Sequence, residues 1–132
     1  MPKAYIPHNQ SAHGLAEEQQ WARLAASGEP VKGMIVIFLQ KMCSVFHEFE
    51  PAWKAGALNP ESLPYFRERL SRRVNSVLTA MENNGLQEIA GYTDLQNLMQ
   101  AAATAPSMQT LADLAEPVHQ ANHKVTDALE SS

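Results

Sequence analysis

Two histidines one helical turn apart are the residues of this sequence whose spacing could do chemistry. They lie in the segment EPVHQANHKVTDALE, where Glu116, His119, His123 and Asp127 follow one another at intervals of three and four. In an α-helix this spacing places the four side chains on successive turns of one face. Imidazole and carboxylate groups are ligands of zinc and other transition metals, so the pattern raises the question of a metal site.

The helical wheel favours a solvated helix face over a metal site. Measured from Val118, in the middle of the apolar stripe, His119 lies about 100° and His123 about 140° around the helix, and the two carboxylates lie further round. Helical di-iron proteins use paired Glu-x-x-His motifs, whereas the match EPVH occurs once and contains a proline. Two histidines also fall short of the three or four ligands of a zinc site. We therefore expect no metal, and keep as the alternative a metal or small-ligand site that uses His119, His123 and His47.

Cys43 and His47 form a second candidate, because they lie one turn apart on a predicted helix. A thiol beside an imidazole is typical of a cysteine nucleophile. The pair is in mid-helix, however, with no third residue to orient the base and no oxyanion donors, which favours a small buried cysteine. The sequence has no Gly-rich phosphate loop, CxxC pair or Gly-x-Ser-x-Gly elbow. We expect neither a cofactor nor enzymatic activity.

The segment RERLSRR carries four arginines, Arg67, Arg69, Arg72 and Arg73. Arg72 has Glu68 at the favourable four-residue spacing, but Arg69 and Arg73 have no acidic residue at that spacing. Guanidinium groups bind carboxylates and phosphates through paired hydrogen bonds. The pattern predicts a basic helix face that docks an acidic partner protein.

Two tryptophans extend this prediction of a binding surface. Trp21 lies on a helix with a thin apolar face, and Trp53 lies at a probable helix end. We expect both to be half-exposed and to anchor a partner or a second copy of the chain in a homodimer. The predicted function is therefore a non-enzymatic interaction module: an adaptor, regulator or assembly factor.

Composition narrows the class of protein. The chain has 132 residues, a formal net charge of −4 and a single cysteine. The length fits one domain, and the acidic balance argues against general binding of nucleic acid. No apolar run approaches the roughly 20 residues of a membrane span. The N-terminus lacks an apolar signal region and one cysteine cannot form an internal disulfide, so we expect a cytoplasmic protein.

The elements that must position these residues are helices. Apolar residues at intervals of three and four predict helices near 15–26, 30–50, 60–84, 93–105 and 107–130. Pro51 is expected to end the second helix, a Thr93–Gln96 capping box to start the fourth, and Pro117 to bend the fifth. The first half of the second helix is apolar nearly all round, which predicts a central helix. We predict an all-α, up-and-down bundle of four main helices plus an N-terminal helix or arm, with residues 1–14 as a flexible arm and 15–132 as one domain.

Overall fold

The computed structural model describes residues 12–132. Residues 1–11 of the predicted arm lie outside the described residues, and residues 12–14 belong to the first helix. The described elements are α1 (Ala12–Ala25), α2 (Pro30–Lys54), a 3-10 turn (Pro60–Ser62), α3 (Leu63–Asn83), α4 (Tyr92–Thr104), α5 (Met108–Ala112) and α6 (Ala115–Ser131). Residues 12–132 contain no strand, which confirms the predicted all-α bundle.

The bundle consists of α2, α3, α4 and α6, with α1 packed against α2 and α6. Successive helices of the four are antiparallel, because contacts join the start of α3 to the end of α2 and to the end of α4. Asp94, at the start of α4, accepts a hydrogen bond from Lys124 in the second half of α6 at 2.8 Å. In α1, Gln20 donates to Asp127 at 2.7 Å, which places α1 parallel to α6. The first and last described helices are therefore neighbours in space.

The core lies between the helices and consists mainly of aliphatic and methionine side chains, with the aromatic rings of Trp21, Phe46 and Phe49 at its margin. Its largest fully buried members are Ile35, Leu39, Met42, Leu70, Met81, Leu95, Leu111, Leu129, Val36, Val45, Val74 and Val77. Most apolar residues whose spacing predicted the third and last helices are buried, while Phe66 and Leu114 are partly buried. Within residues 12–132, no helix combines the length and apolar character needed to cross a bilayer.

The predicted end of α2 at Glu50 is wrong, because the helix continues through Pro51 to Lys54. Proline removes one helical hydrogen bond, but packing holds the extra turn. The ring of Trp53 lies 4.7 Å from that of Phe49, centroid to centroid, and Ala55 donates its N–H to the carbonyl of Pro51.

The first half of α2 is not covered on all sides, contrary to the prediction from its composition. Ile35, Val36 and Leu39 are buried, but Ile37 is 49% exposed and Met34 is 36% exposed. The helix is nevertheless central, as predicted, because α2 packs against α1, α3, α5 and α6.

The starts of the later helices differ in part from their predicted caps. Gly91, with a φ of 98°, precedes α4, and no side chain caps that helix, so the Thr93–Gln96 capping box is wrong. A Cβ at Gly91 would lie 2.6 Å from Cγ2 of Val125, so glycine permits the close approach of α4 and α6. Ser107 caps α5, since its Oγ accepts from the N–H of Thr110 at 3.1 Å.

The predicted fifth helix is two helices. The chain turns at residues 113–114, between α5 and α6. Pro117 therefore lies in the first turn of α6, where a missing N–H costs no helical hydrogen bond, and it does not bend a continuous helix. Because the chain turns here, α6 packs along α1 and α2. Both histidines of the EPVHQANH segment lie on α6.

Candidate metal centre

The buried face of α1 contains a carboxylate. Gly14, Glu17, Trp21 and Leu24 are buried residues of this helix, at intervals of three and four. Glu17 is only 2% exposed, although glutamate is among the residues least often buried. Its side chain lies against α6. A charged group has therefore been placed where the helix would ordinarily present an apolar side chain.

The two histidines of α6 approach this carboxylate from the opposite side. Oε1 of Glu17 lies 2.9 Å from Nε2 of His119 and 3.1 Å from Nε2 of His123. The two Nε2 atoms are 3.2 Å apart, and the rings meet edge to face. Their side chains are 21% and 32% exposed, so they are partly buried and do not form the solvated face that we expected. The physical reason is α1, which covers that flank of α6.

The other two members of the sequence pattern do not join this group. Glu116 is exposed and accepts a hydrogen bond from Gln120 at 3.3 Å. Asp127 is engaged by Gln20 of α1. In the part of the chain that the structure describes, one group of three potential metal ligands is present, and it consists of Glu17, His119 and His123. We call these three residues the triad.

Glu17 is the residue that the sequence analysis missed. It lies four residues before Trp21 and seven before Leu24, on the same helical stripe as these two buried apolar residues. A carboxylate within an apolar stripe was the available signal. The spacing within α6 pointed instead to Glu116 and Asp127, because sequence spacing reports neighbours on one helix and not residues 102 positions away.

The Glu17 carboxylate and burial shift the pKa values of two nearby groups, His119 and Cys43. Hydrogen bonding to the Glu17 carboxylate raises the pKa of His119, burial opposes this rise, and the negative charges of Glu17 and Glu116 add to it. Burial also raises the pKa of the Cys43 thiol far above its ordinary value, and the charge of Glu17 adds to that effect. Cys43 is therefore a buried, protonated thiol, which is unsuited to act as a nucleophile.

A cavity of about 270 Å³ lies beside the triad, between the second half of α2 and the start of α6. His119 belongs to both, because it lines the cavity and contributes a nitrogen to the triad. His47, part of the alternative ligand set, lines the cavity and is not a member of the triad. The structure therefore unites two of the three predicted histidines with Glu17 and places the third on the cavity wall.

The predicted basic face of α3 is partly engaged within the chain. Arg69 forms an ion pair with Glu48 of α2, and its guanidinium also donates to the Tyr65 hydroxyl at 3.2 Å. The expectation that Arg69 is free of acidic partners is therefore wrong, because α2 supplies a carboxylate that helix spacing did not reveal. Arg67 donates to the carbonyl of Ala105 at 3.2 Å.

The remaining two arginines of this face, Arg72 and Arg73, differ in their ion pairs. Arg72 pairs with Glu68, as its spacing predicted. Arg73 is partly buried and forms no ion pair with residues 12–132. The docking of an acidic partner at this face stays a prediction.

The tryptophans are less exposed than predicted. Trp21 is 7% exposed and donates from Nε1 to Oδ1 of Asn122 at 3.4 Å, so the expectation of a half-exposed anchor is wrong for this residue. It belongs to the interface between α1 and α6. Trp53 is partly buried, packs against Phe46 and Phe49, and lines the cavity.

Comparison of the chain with protein-family models, with curated proteins and with solved structures finds no match. The geometry of the triad and its surroundings is thus the basis on which function is inferred.

Proposed function

We propose that this protein binds one divalent transition-metal ion through Oε1 of Glu17 and Nε2 of His119 and His123. The observation that carries the proposal is the convergence of these three atoms, which are 2.9, 3.1 and 3.2 Å apart. Ligands of a tetrahedral zinc ion, at bond lengths of about 2.0–2.1 Å, are about 3.3–3.4 Å apart. The three atoms therefore form a slightly contracted face of such a tetrahedron, and side-chain shifts of a few tenths of an ångström would complete it.

An ion pair within the protein explains this arrangement less well than a metal does. One protonated imidazole is enough to neutralise a buried carboxylate. The second imidazole lies with its Nε2 3.2 Å from that of the first, where two positive rings would repel each other. A metal ion removes this conflict, because it binds neutral imidazoles through lone pairs that point to a common centre.

The donor set indicates which ions are suitable. Two imidazoles and one carboxylate occur in catalytic zinc sites and in non-haem ferrous sites. In both classes the protein supplies three ligands and leaves at least one coordination position for water or another molecule. The cavity on the α2 side of His119 provides space next to the triad. We take zinc as the primary candidate and ferrous iron as the competitor that the experiment distinguishes.

The test is metal analysis of the full chain purified without a histidine tag. We expect one equivalent of zinc or iron per chain by mass spectrometry of the elements. After removal with a chelator, titration with zinc and, without oxygen, with ferrous iron should identify the preferred ion. Glu17→Gln and His123→Ala should each weaken binding by about 100-fold or more, since each removes a direct ligand and even outer partners of a metal site contribute about 10- to 100-fold.

Asp127→Asn is the matched control, because Asp127 lies on the same helix and was part of the ligand set predicted from sequence. It should leave metal content and affinity unchanged. The proposal fails if the wild-type chain carries no metal and binds added zinc no more tightly than the His119→Ala, His123→Ala double variant. A loss of metal in Asp127→Asn would show that the ligand set is different from the triad.

A further inference from the structure

The cavity beside the triad contains a buried carboxylate of its own. Glu50 of α2 is 9% exposed and lines the cavity. It forms no hydrogen bond or ion pair with the residues that the structure describes. The carboxylate oxygens of Glu50 keep some contact with water, but a charge this buried without a partner is unfavourable, so a cation or hydrogen-bond donor in the cavity would stabilise it.

Within residues 12–132, no cationic side chain pairs with Glu50. Lys54 lies one turn after Glu50 on α2, but it is exposed and no ion pair joins the two side chains. His47 and His119 also line the cavity, and His119 has Glu17 as its carboxylate partner. The side of the cavity near Glu50 therefore carries a negative charge that an external group can neutralise.

The remaining walls favour an organic cation over a hydrated metal ion. Phe46 and Trp53 line the cavity and contact each other edge to face, with ring centroids 6.2 Å apart. Aromatic rings attract ammonium groups and contact the apolar part of an amine. Glu116, from the start of α6, adds a second carboxylate to the wall. Ligand pockets typically have volumes of about 300–1,000 Å³, so a cavity of about 270 Å³ suits a small molecule.

We infer that this cavity binds a small protonated amine, with its ammonium group on Glu50 and its apolar part against Phe46 and Trp53. The inference goes beyond the proposed metal site, because none of its three contacts belongs to the triad. Among the described residues, His119 is the triad member that also lines the cavity with Glu50. Metal binding and amine binding can therefore be tested separately.

Benzylamine and benzyl alcohol are a matched pair of probes, since they have similar shape and differ in charge. Binding to the full wild-type chain is measured by calorimetry and by Trp53 fluorescence, in the presence of a chelator. We expect benzylamine to bind and benzyl alcohol to bind at least about tenfold more weakly. Glu50→Gln should weaken benzylamine binding by about 10- to 100-fold, the effect of losing one charge-assisted hydrogen bond.

Two controls separate this result from other causes. Glu61→Gln changes an exposed glutamate that does not line the cavity, and it should bind benzylamine as the wild type does. His123→Gln removes a triad ligand that does not line the cavity, so it should lose metal and retain benzylamine. Equal binding of benzylamine and benzyl alcohol to the wild type would overturn the inference, and this comparison needs no variant to fold. Unchanged benzylamine affinity in folded Glu50→Gln would overturn it as well.

Discussion

Replacing His119 and His123 together by alanine removes two nitrogen atoms of α6 that approach the Glu17 carboxylate. If the histidines only decorated a solvated face, this change would be nearly neutral for stability. In the structure, however, Glu17 is 2% exposed, and the double variant leaves its charge buried without the two imidazoles. We therefore expect a marked loss of stability in metal-free protein.

The size of this loss can be bounded from the structure. Breaking a buried charge pair by removing one partner typically costs about 3–5 kcal/mol, and partial exposure of the two imidazoles lowers that figure. Glu17 can instead take up a proton, which for a carboxyl group of ordinary pKa near 4.3 costs about 3.7 kcal/mol at pH 7. The free energy of unfolding of the double variant should therefore fall by about 2–4 kcal/mol.

The assay is urea denaturation at pH 7 with a chelator present, followed by circular dichroism. Adding Glu17→Gln to the double variant removes the buried charge and should restore about 1–2 kcal/mol, a rescue that loss of packing alone would not produce. A loss below about 1 kcal/mol in the double variant, with no rescue by Glu17→Gln, would refute the burial of Glu17 against α6.

Two further predictions concern the pH dependence of the triad and the arginine face. The folded pKa of His119 is raised, so the metal-free folded state binds more protons than the unfolded state. The stability of the metal-free protein should therefore fall as pH rises from about 6.5 through the folded pKa. With saturating zinc, the free energy of unfolding should instead rise with pH, since metal binding releases protons. Urea denaturation from pH 6 to 8 is the test, and the same slope with and without zinc would contradict the prediction. Arg69→Gln should lower the free energy of unfolding by about 1 kcal/mol, because it breaks the partly buried pair with Glu48. Arg72→Gln should lower it by about 0.3–0.5 kcal/mol, because both side chains of the pair with Glu68 are 69% exposed. Equal losses in urea denaturation would show that the pair with Glu48 adds nothing.

The fold was predictable because the apolar residues of each helix recur at regular short intervals in the sequence. The predicted end of the third helix near residue 84 was correct: α3 ends at Asn83, Gly85 has a φ of 68°, and Leu86 donates to the carbonyl of Met81 at 2.8 Å. The errors occur where packing outweighs a local signal. Phe49 and Trp53 carry α2 past a proline, and the close approach of α6 fixes a glycine at the start of α4.

The candidate site was half predictable for the same reason. His119 and His123 lie on one helix, so their spacing identified them as a pair before the structure was known. Glu17 is 102 residues away from the first of them, and its approach depends on α1 lying parallel to α6. The wheel of α6 placed the histidines beside the core stripe, but it did not show that another helix occupies that flank. The pairing of Arg69 with Glu48 escaped prediction in the same way.

The contacts between α1 and α6 are unusually polar for a buried helix interface, and this bears on what a metal would do. Besides the triad, Trp21 donates to Asn122, and Thr126 lies 3.4 Å from the side chain of Gln20. Polar contacts of this kind are directional, and each contributes little net free energy compared with apolar burial. The docking of α1 is therefore expected to be the least stable part of the described bundle, while the apolar core holds α2, α3, α4 and α6 together. An ion held by Glu17 on one side and His119 and His123 on the other would tie the first helix to the last. Metal binding in this protein would thus also be a means of fixing α1 in place, and amide hydrogen exchange in α1 should slow on zinc binding more than exchange in α3.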